Sequence, residues 1–104
     1  MAWTGLGTIT VPTPGTKVPL SATDVRCEAL LVQALSNGSH TNTGRVYIYD
    51  RTGNRIATLA VPTTNTIPSA SATIPSAPGG LNAKDYQIDA DNATDGVDAS
   101  YIRP

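Results

Sequence analysis

Short runs of β-branched, aliphatic and aromatic residues alternate with clusters of Gly, Pro, Asn, Asp and Ser along the chain. That is the pattern of strands joined by turns. The first run, residues 8–11, ends at Pro12, Pro14 and Gly15. Residues 17–20 form a second, placed at a sheet edge because Pro19 cannot donate to a ladder. Residues 28–35 are almost continuously apolar, which predicts a strand covered on both faces. A short helix has a compatible periodicity, but the abrupt stop at Ser36-Asn37-Gly38 favours a strand. Residues 45–49 and 55–61 read as a hairpin across Asp50-Arg51-Thr52-Gly53-Asn54, where Gly and Asn tolerate positive φ. A Thr-, Ser-, Ala- and Pro-rich stretch, residues 62–78, holds a brief strand at 72–74 and leads to a turn at Pro78-Gly79-Gly80. In residues 86–90, Tyr86, Ile88 and Ala90 alternate with Gln87 and Asp89, so the two sets face opposite ways. Residues 97–102 close the series.

About eight short strands and no helix predict an all-β chain, built as a single β-sandwich or jelly-roll-like barrel. Residues 1–7, which are Gly-rich, read as a flexible N-terminal arm, and residues 8–104 as the β-sandwich domain.

Composition narrows this picture. A chain of 104 residues and 10.8 kDa makes one domain, and a chain of that mass buries roughly 65% of its unfolded surface. With no Phe, one Trp, one Met and four Tyr, the core is assembled from Ala, Val, Leu and Ile. So modest a core is relieved by association, which predicts a homo-oligomer or a docked subunit. The net charge is −1 and 14% of residues are charged. No basic face is evident, so nucleic acid is not an expected partner. No apolar stretch approaches the roughly 20 residues that span a bilayer, so no membrane association is expected. The N-terminus lacks a basic segment followed by an apolar one, and the single cysteine, Cys27, has no partner for an internal disulfide. Synthesis and folding in a cytoplasm are expected.

Candidate chemistry is sparse. Asp85, Asp89, Asp91, Asp95 and Asp98 crowd the last hairpin, and oxygen ligands near a turn suit Ca²⁺. The spacing fails the EF-hand loop, so no metal is expected and a solvated or partner-facing acidic patch is preferred. His40 stands beside Ser39 in a polar loop, without the Gly-x-Ser-x-Gly frame of a hydrolase. Cys27 has no second Cys for zinc and reads as a buried small hydrophobe. Gly5-Leu6-Gly7 precedes no helix that would cradle phosphate. The expectation is a non-enzyme without cofactor. Binding is the better prospect. Tyr47 and Tyr49 share one face of their strand, Trp3 and Leu6 are apolar residues of the arm, and Asp89 and Asp91 offer acidic contacts. Aromatic anchors and complementary charges are what protein interfaces use.

Several stretches, taken in order, carry a resemblance. They are Thr8-Ile9-Thr10-Val11, Gly15-Thr16-Lys17-Val18-Pro19-Leu20-Ser21, Val25-Arg26-Cys27-Glu28 leading to Leu31-Val32-Gln33-Ala34, Asn42-Thr43-Gly44-Arg45-Val46-Tyr47-Ile48, and Tyr86-Gln87-Ile88-Asp89-Ala90 followed by Gly96-Val97. In this order the chain resembles a family of short tailed-phage virion structural proteins of the capsid decoration or cement type. The similarity covers most of the chain, though residues 50–78 are longer and richer in Pro and Thr than that family's pattern. The resemblance implies a virion protein, assembled in the host cytoplasm, whose partner is the major capsid protein or another virion protein. It implies no catalytic residue. The alternative within the same setting is a tail- or fibre-associated module that binds a host glycan or another virion protein.

Overall fold

The computed structural model describes residues 3–35, 41–61, 71–75 and 80–102. Among them, ten strands follow in chain order: β1 (Thr4–Thr10), β2 (Val18–Pro19), β3 (Arg26–Cys27), β4 (Ala29–Ala34), β5 (Val46–Tyr49), β6 (Arg55–Leu59), β7 (Ser71–Ile74), β8 (Leu81–Asn82), β9 (Gln87–Ala90) and β10 (Gly96–Ile102). One short 3-10 turn, Ala83–Asp85, sits between β8 and β9, with the Asn82 side chain accepting from the Lys84 N–H. The strands form three separate open sheets, ordered β1-β10-β4-β7, β2-β9-β5-β6 and β3-β8.

The all-β expectation holds, but a single sandwich or jelly-roll-like barrel of about eight strands does not. Each of the eight expected runs contains a strand; the two further strands are β3 and β8, two residues each, which pair only with each other. No ladder joins the two four-stranded sheets, and β1, β7, β2 and β6 remain edges. Closing a barrel requires every edge to be paired in a continuous register. Local chemistry opposes that here. β2 is two residues long and ends on Pro19, and the β1–β10 and β5–β6 ladders break register between Gly5 and Gly7 and between Ile48 and Tyr49.

Two local expectations also change. Residues 4–7, read as part of an arm, belong to β1: Thr4 pairs with Tyr101 and Gly5 with Ser100. The register break there lets Leu6 pack against the core. β4 is hydrogen-bonded on both sides, to β10 and β7, yet only one of its faces is fully buried. Leu30, Val32 and Ala34 are buried, Ala29 and Leu31 half-buried and Gln33 exposed. The Leu-rich run reflects a small domain that buries much of what it has, not a sheet sheltered on both sides.

Inward residues of both four-stranded sheets meet in one hydrophobic cluster. Leu30 and Val32 of β4, Val97 and Ala99 of β10, Val46 and Ile48 of β5, and Ile88 of β9 are all within it. Fully burying an aliphatic side chain of this size stabilises a fold by about 1.5–3 kcal/mol. The same alternation that sends Ile88 and Ala90 inward turns Gln87 and Asp89 outward, and it turns Tyr47 and Tyr49 outward from β5.

Candidate functional site

The chain enters β5 through a buried polar clasp. Asn42 and Asp95 are the buried polar residues among those described. The Asn42 side chain donates through Nδ2 to the Gly96 carbonyl at 2.8 Å, and its Oδ1 accepts from the Gly96 N–H at 2.9 Å. A side-chain amide thus pairs with β10 as a neighbouring strand would. Asp95 Oδ2 accepts from the Thr43 N–H at 3.0 Å, the Thr43 hydroxyl at 3.2 Å and the Gly44 N–H at 2.8 Å. Among the described residues, no buried side-chain polar atom lacks a partner, as a native interior requires. Gly96 is needed at its place for space: a Cβ there would overlap the Ile9 carbonyl oxygen and lie 2.8 Å from Thr10 Cα. The clasp therefore fixes the start of β5 against β10 and β1.

The outer face of β2-β9-β5-β6 carries the most developed surface chemistry. In register, Tyr47 lies between Asp89 and Thr58, and Tyr49 between Gln87 and Arg55. The Tyr47 hydroxyl donates to Asp91 Oδ1 at 2.8 Å. That bond, followed by desolvation and the Asp91 charge, pushes the phenol above its usual value. The Arg55 guanidinium lies 5.3 Å from the Tyr47 ring centroid, and Lys17 Nζ lies 4.2 Å from that of Tyr49. Both distances are within cation–π reach. Asp89 Oδ1 accepts from the Gly15 N–H at 2.9 Å and from the Ala90 N–H at 2.8 Å. It thereby ties the turn that carries Lys17 to β9.

The β5–β6 turn positions Arg55. Asp50 Oδ1 accepts from the Thr52 hydroxyl at 2.6 Å, the Thr52 N–H at 2.9 Å and the Asn54 N–H at 3.1 Å. Gly53 adopts φ +90°, a region open to glycine at little cost. The Thr52 hydroxyl bond leads in holding the Asp50 carboxyl below its usual value; desolvation opposes this, and the Asn54, Thr52 and Gly53 N–H groups add to it.

The structure gathers four of the six expected partner-contacting residues, Tyr47, Tyr49, Asp89 and Asp91, on this one face. Leu6, half-buried, lies in β1 of the other four-stranded sheet, and Trp3, 45% exposed, immediately precedes that strand, so Trp3 does not extend the tyrosine strip. The acidic hairpin is dispersed. Asp85 is in the 3-10 turn, Asp95 is in the clasp, and Asp98 accepts from the Thr8 hydroxyl at 2.6 Å. No group of three or more potential metal ligands forms among the described residues. Cys27 is buried, its thiol 3.8 Å from the Leu81 carbonyl oxygen, and burial raises its pKa. Ser39 and His40 lie outside the described residues, as does most of 62–78. Among the described residues no helix is long and apolar enough to cross a membrane.

Sequence reasoning missed Lys17 and Arg55 as members of this face, and Asn42 and Asp95 as a buried pair. Arg55 had one available signal, its place just beyond a turn that brings it back alongside Tyr49. No protein-family model, curated protein or solved structure matches the chain.

Proposed function

We propose that this chain is a tailed-phage virion structural protein, a capsid decoration or cement protein that stabilises the shell by packing across capsid subunits. It acts by contact, without catalysis, and its partner is the major capsid protein or another virion protein. The observation that carries the docking reading is the outer face of β2-β9-β5-β6. There two tyrosines are held by cations on their rings and by Asp91 on one hydroxyl. Rings already fixed in place lose little side-chain entropy when a partner covers them, and Tyr and Arg are preferred anchors at interfaces. The virion setting rests on the ordered segments that resemble short tailed-phage virion proteins. A subunit with so small an aliphatic core gains stability from the contact itself.

The alternative, a tail- or fibre-associated module for a host glycan, would need the same tyrosine faces for stacking. Lys17 and Arg55 already lie over them, which favours a protein surface over a sugar ring. Quantitative mass spectrometry of purified particles, normalised to the major capsid protein, tests the assignment. Copies in the hundreds per particle support shell decoration. A few to a few dozen would transfer the chain to the tail or a vertex, and absence from particles would overturn the virion reading.

A further inference from the structure

Hydrogen-bonding capacity on the outer face of β2-β9-β5-β6 is unbalanced. On its carboxylates the Oδ1 atoms are occupied, that of Asp89 by two backbone N–H groups and that of Asp91 by the Tyr47 hydroxyl. Two of its cations are not so engaged: among the described residues, Lys17 and Arg55 meet ring faces and no carboxylate, whereas the Arg45 side chain lies beside the Tyr47 hydroxyl. An ammonium has three donors and a guanidinium five, with no acceptor on either. The rings hold both heads in position without using those donors. The face therefore presents pre-oriented N–H groups that no acceptor among the described residues takes and that a partner's acceptors can reach.

We propose that this face receives an extended acidic segment of a partner protein, with carboxylates two residues apart, one reaching Lys17 and the other Arg55. The proposal rests on the docking reading of the same face and names its chemistry. The spacing follows from β5. Tyr47 and Tyr49 are two residues apart on one strand face, about 6.4–6.8 Å, and each carries one cation. An extended segment repeats its same-side residues at the same interval. Asp89 and Asp91 border the strip and would repel a continuous polyanion, which disfavours nucleic acid and sulfated glycan. A segment whose acids are separated by neutral residues avoids that repulsion.

The test titrates the ¹⁵N-labelled full chain with a blocked heptapeptide, Thr-Ser-Glu-Thr-Glu-Ser-Thr, and with its counterpart carrying Gln for both Glu. The Glu peptide is expected to shift the Tyr47, Tyr49 and Arg55 amides saturably, and the Gln peptide is not. Binding should weaken about tenfold in the Lys17→Gln/Arg55→Gln variant and severalfold between about 50 and 300 mM NaCl. Equal responses to both peptides, no response to either, or tighter binding of heparin or single-stranded DNA at these residues would overturn the proposal. Particle occupancy separates this failure from that of the docking reading, using variants whose spectra stay dispersed as in the parent. Loss of occupancy in Tyr47→Ser/Tyr49→Ser but not in Lys17→Gln/Arg55→Gln means that the face docks by other chemistry and the acidic partner is wrong. Full occupancy in both variants removes the docking reading as well.

Discussion

Replacing Asp95 with Ala removes a carboxylate whose Oδ2 holds three donors. That oxygen accepts from the Thr43 N–H, the Thr43 hydroxyl and the Gly44 N–H at 3.0, 3.2 and 2.8 Å. Gly44 is itself buried, so its N–H loses its partner without ready access to water, at a cost of about 1–3 kcal/mol. Thr43 is exposed and both of its donors can turn to solvent, so losing those bonds adds about 1 kcal/mol together. The sum is about 2–4 kcal/mol, against a total stability of about 5–15 kcal/mol for a domain of this size. At about 4–5 °C per kcal/mol for a chain near 100 residues, Tm falls by roughly 8–20 °C. Asp95→Asn keeps an oxygen in reach of the same donors and gives up only the charge, so about half that loss is expected. Urea unfolding followed by circular dichroism, with the denaturant slope unchanged, measures both variants. An Asp95→Ala protein within about 0.5 kcal/mol of the parent would refute the clasp as a stabilising unit. So would Asn and Ala variants of equal stability.

Four further outcomes follow from the same geometry. Gly96→Ala sets a methyl group into the backbone of β1 at Ile9 and Thr10, and only outward movement of that edge strand relieves it. The expected loss is about 3 kcal/mol, with hydrogen exchange accelerating first in β1; unchanged protection of β1 amides would contradict it. The Asp50 carboxyl titrates below its ordinary 3.8, so its contribution is complete above that value and fades as pH falls through its lower folded midpoint. Thr52→Ala should raise that midpoint in a carbon-detected NMR titration, and an unmoved midpoint would count against the hydroxyl bond. The Tyr47 phenol titrates above its ordinary 10.0, so its bond to Asp91 contributes below that value and is lost as pH rises through the higher folded midpoint. Asp91→Asn should lower the midpoint in an ultraviolet titration, whereas no change would remove Asp91 as the cause. Cys27, buried with its thiol pKa raised by desolvation, should react with a disulfide reagent only as fast as the chain unfolds; rapid labelling of the native protein would contradict its burial.

Much of the strand content was legible because alternation is a local property. Ile88 and Ala90 against Gln87 and Asp89 can be read from five consecutive residues, and the Asp50–Asn54 turn from its own chemistry. The pairing of strands was not legible. Nothing near Thr10 announces that it lies opposite Gly96, and the choice between one closed barrel and three open sheets depends on such long-range registers. Residues 26–27 and 81–82 are too short to show any period, so β3 and β8 appear only as a pair. Asn42 and Asp95 sit in stretches whose composition reads as solvated loop; their burial arises from contacts more than 50 positions apart in sequence. The tyrosine strip was half visible. The i, i+2 spacing of Tyr47 and Tyr49 shows in the sequence, whereas the cations above them arrive from β6 and from the turn before β2.

The proposed docking role requires that the outer face of β2-β9-β5-β6 be covered in assembled particles. Hydroxyl-radical footprinting of purified virions beside the free chain reads this directly at two side chains. Tyr47 and Tyr49 should lose most of their oxidation in particles and recover it when the chain is released. Equal oxidation of both tyrosines in particles and in free chain would contradict the assignment of this face as the docking surface.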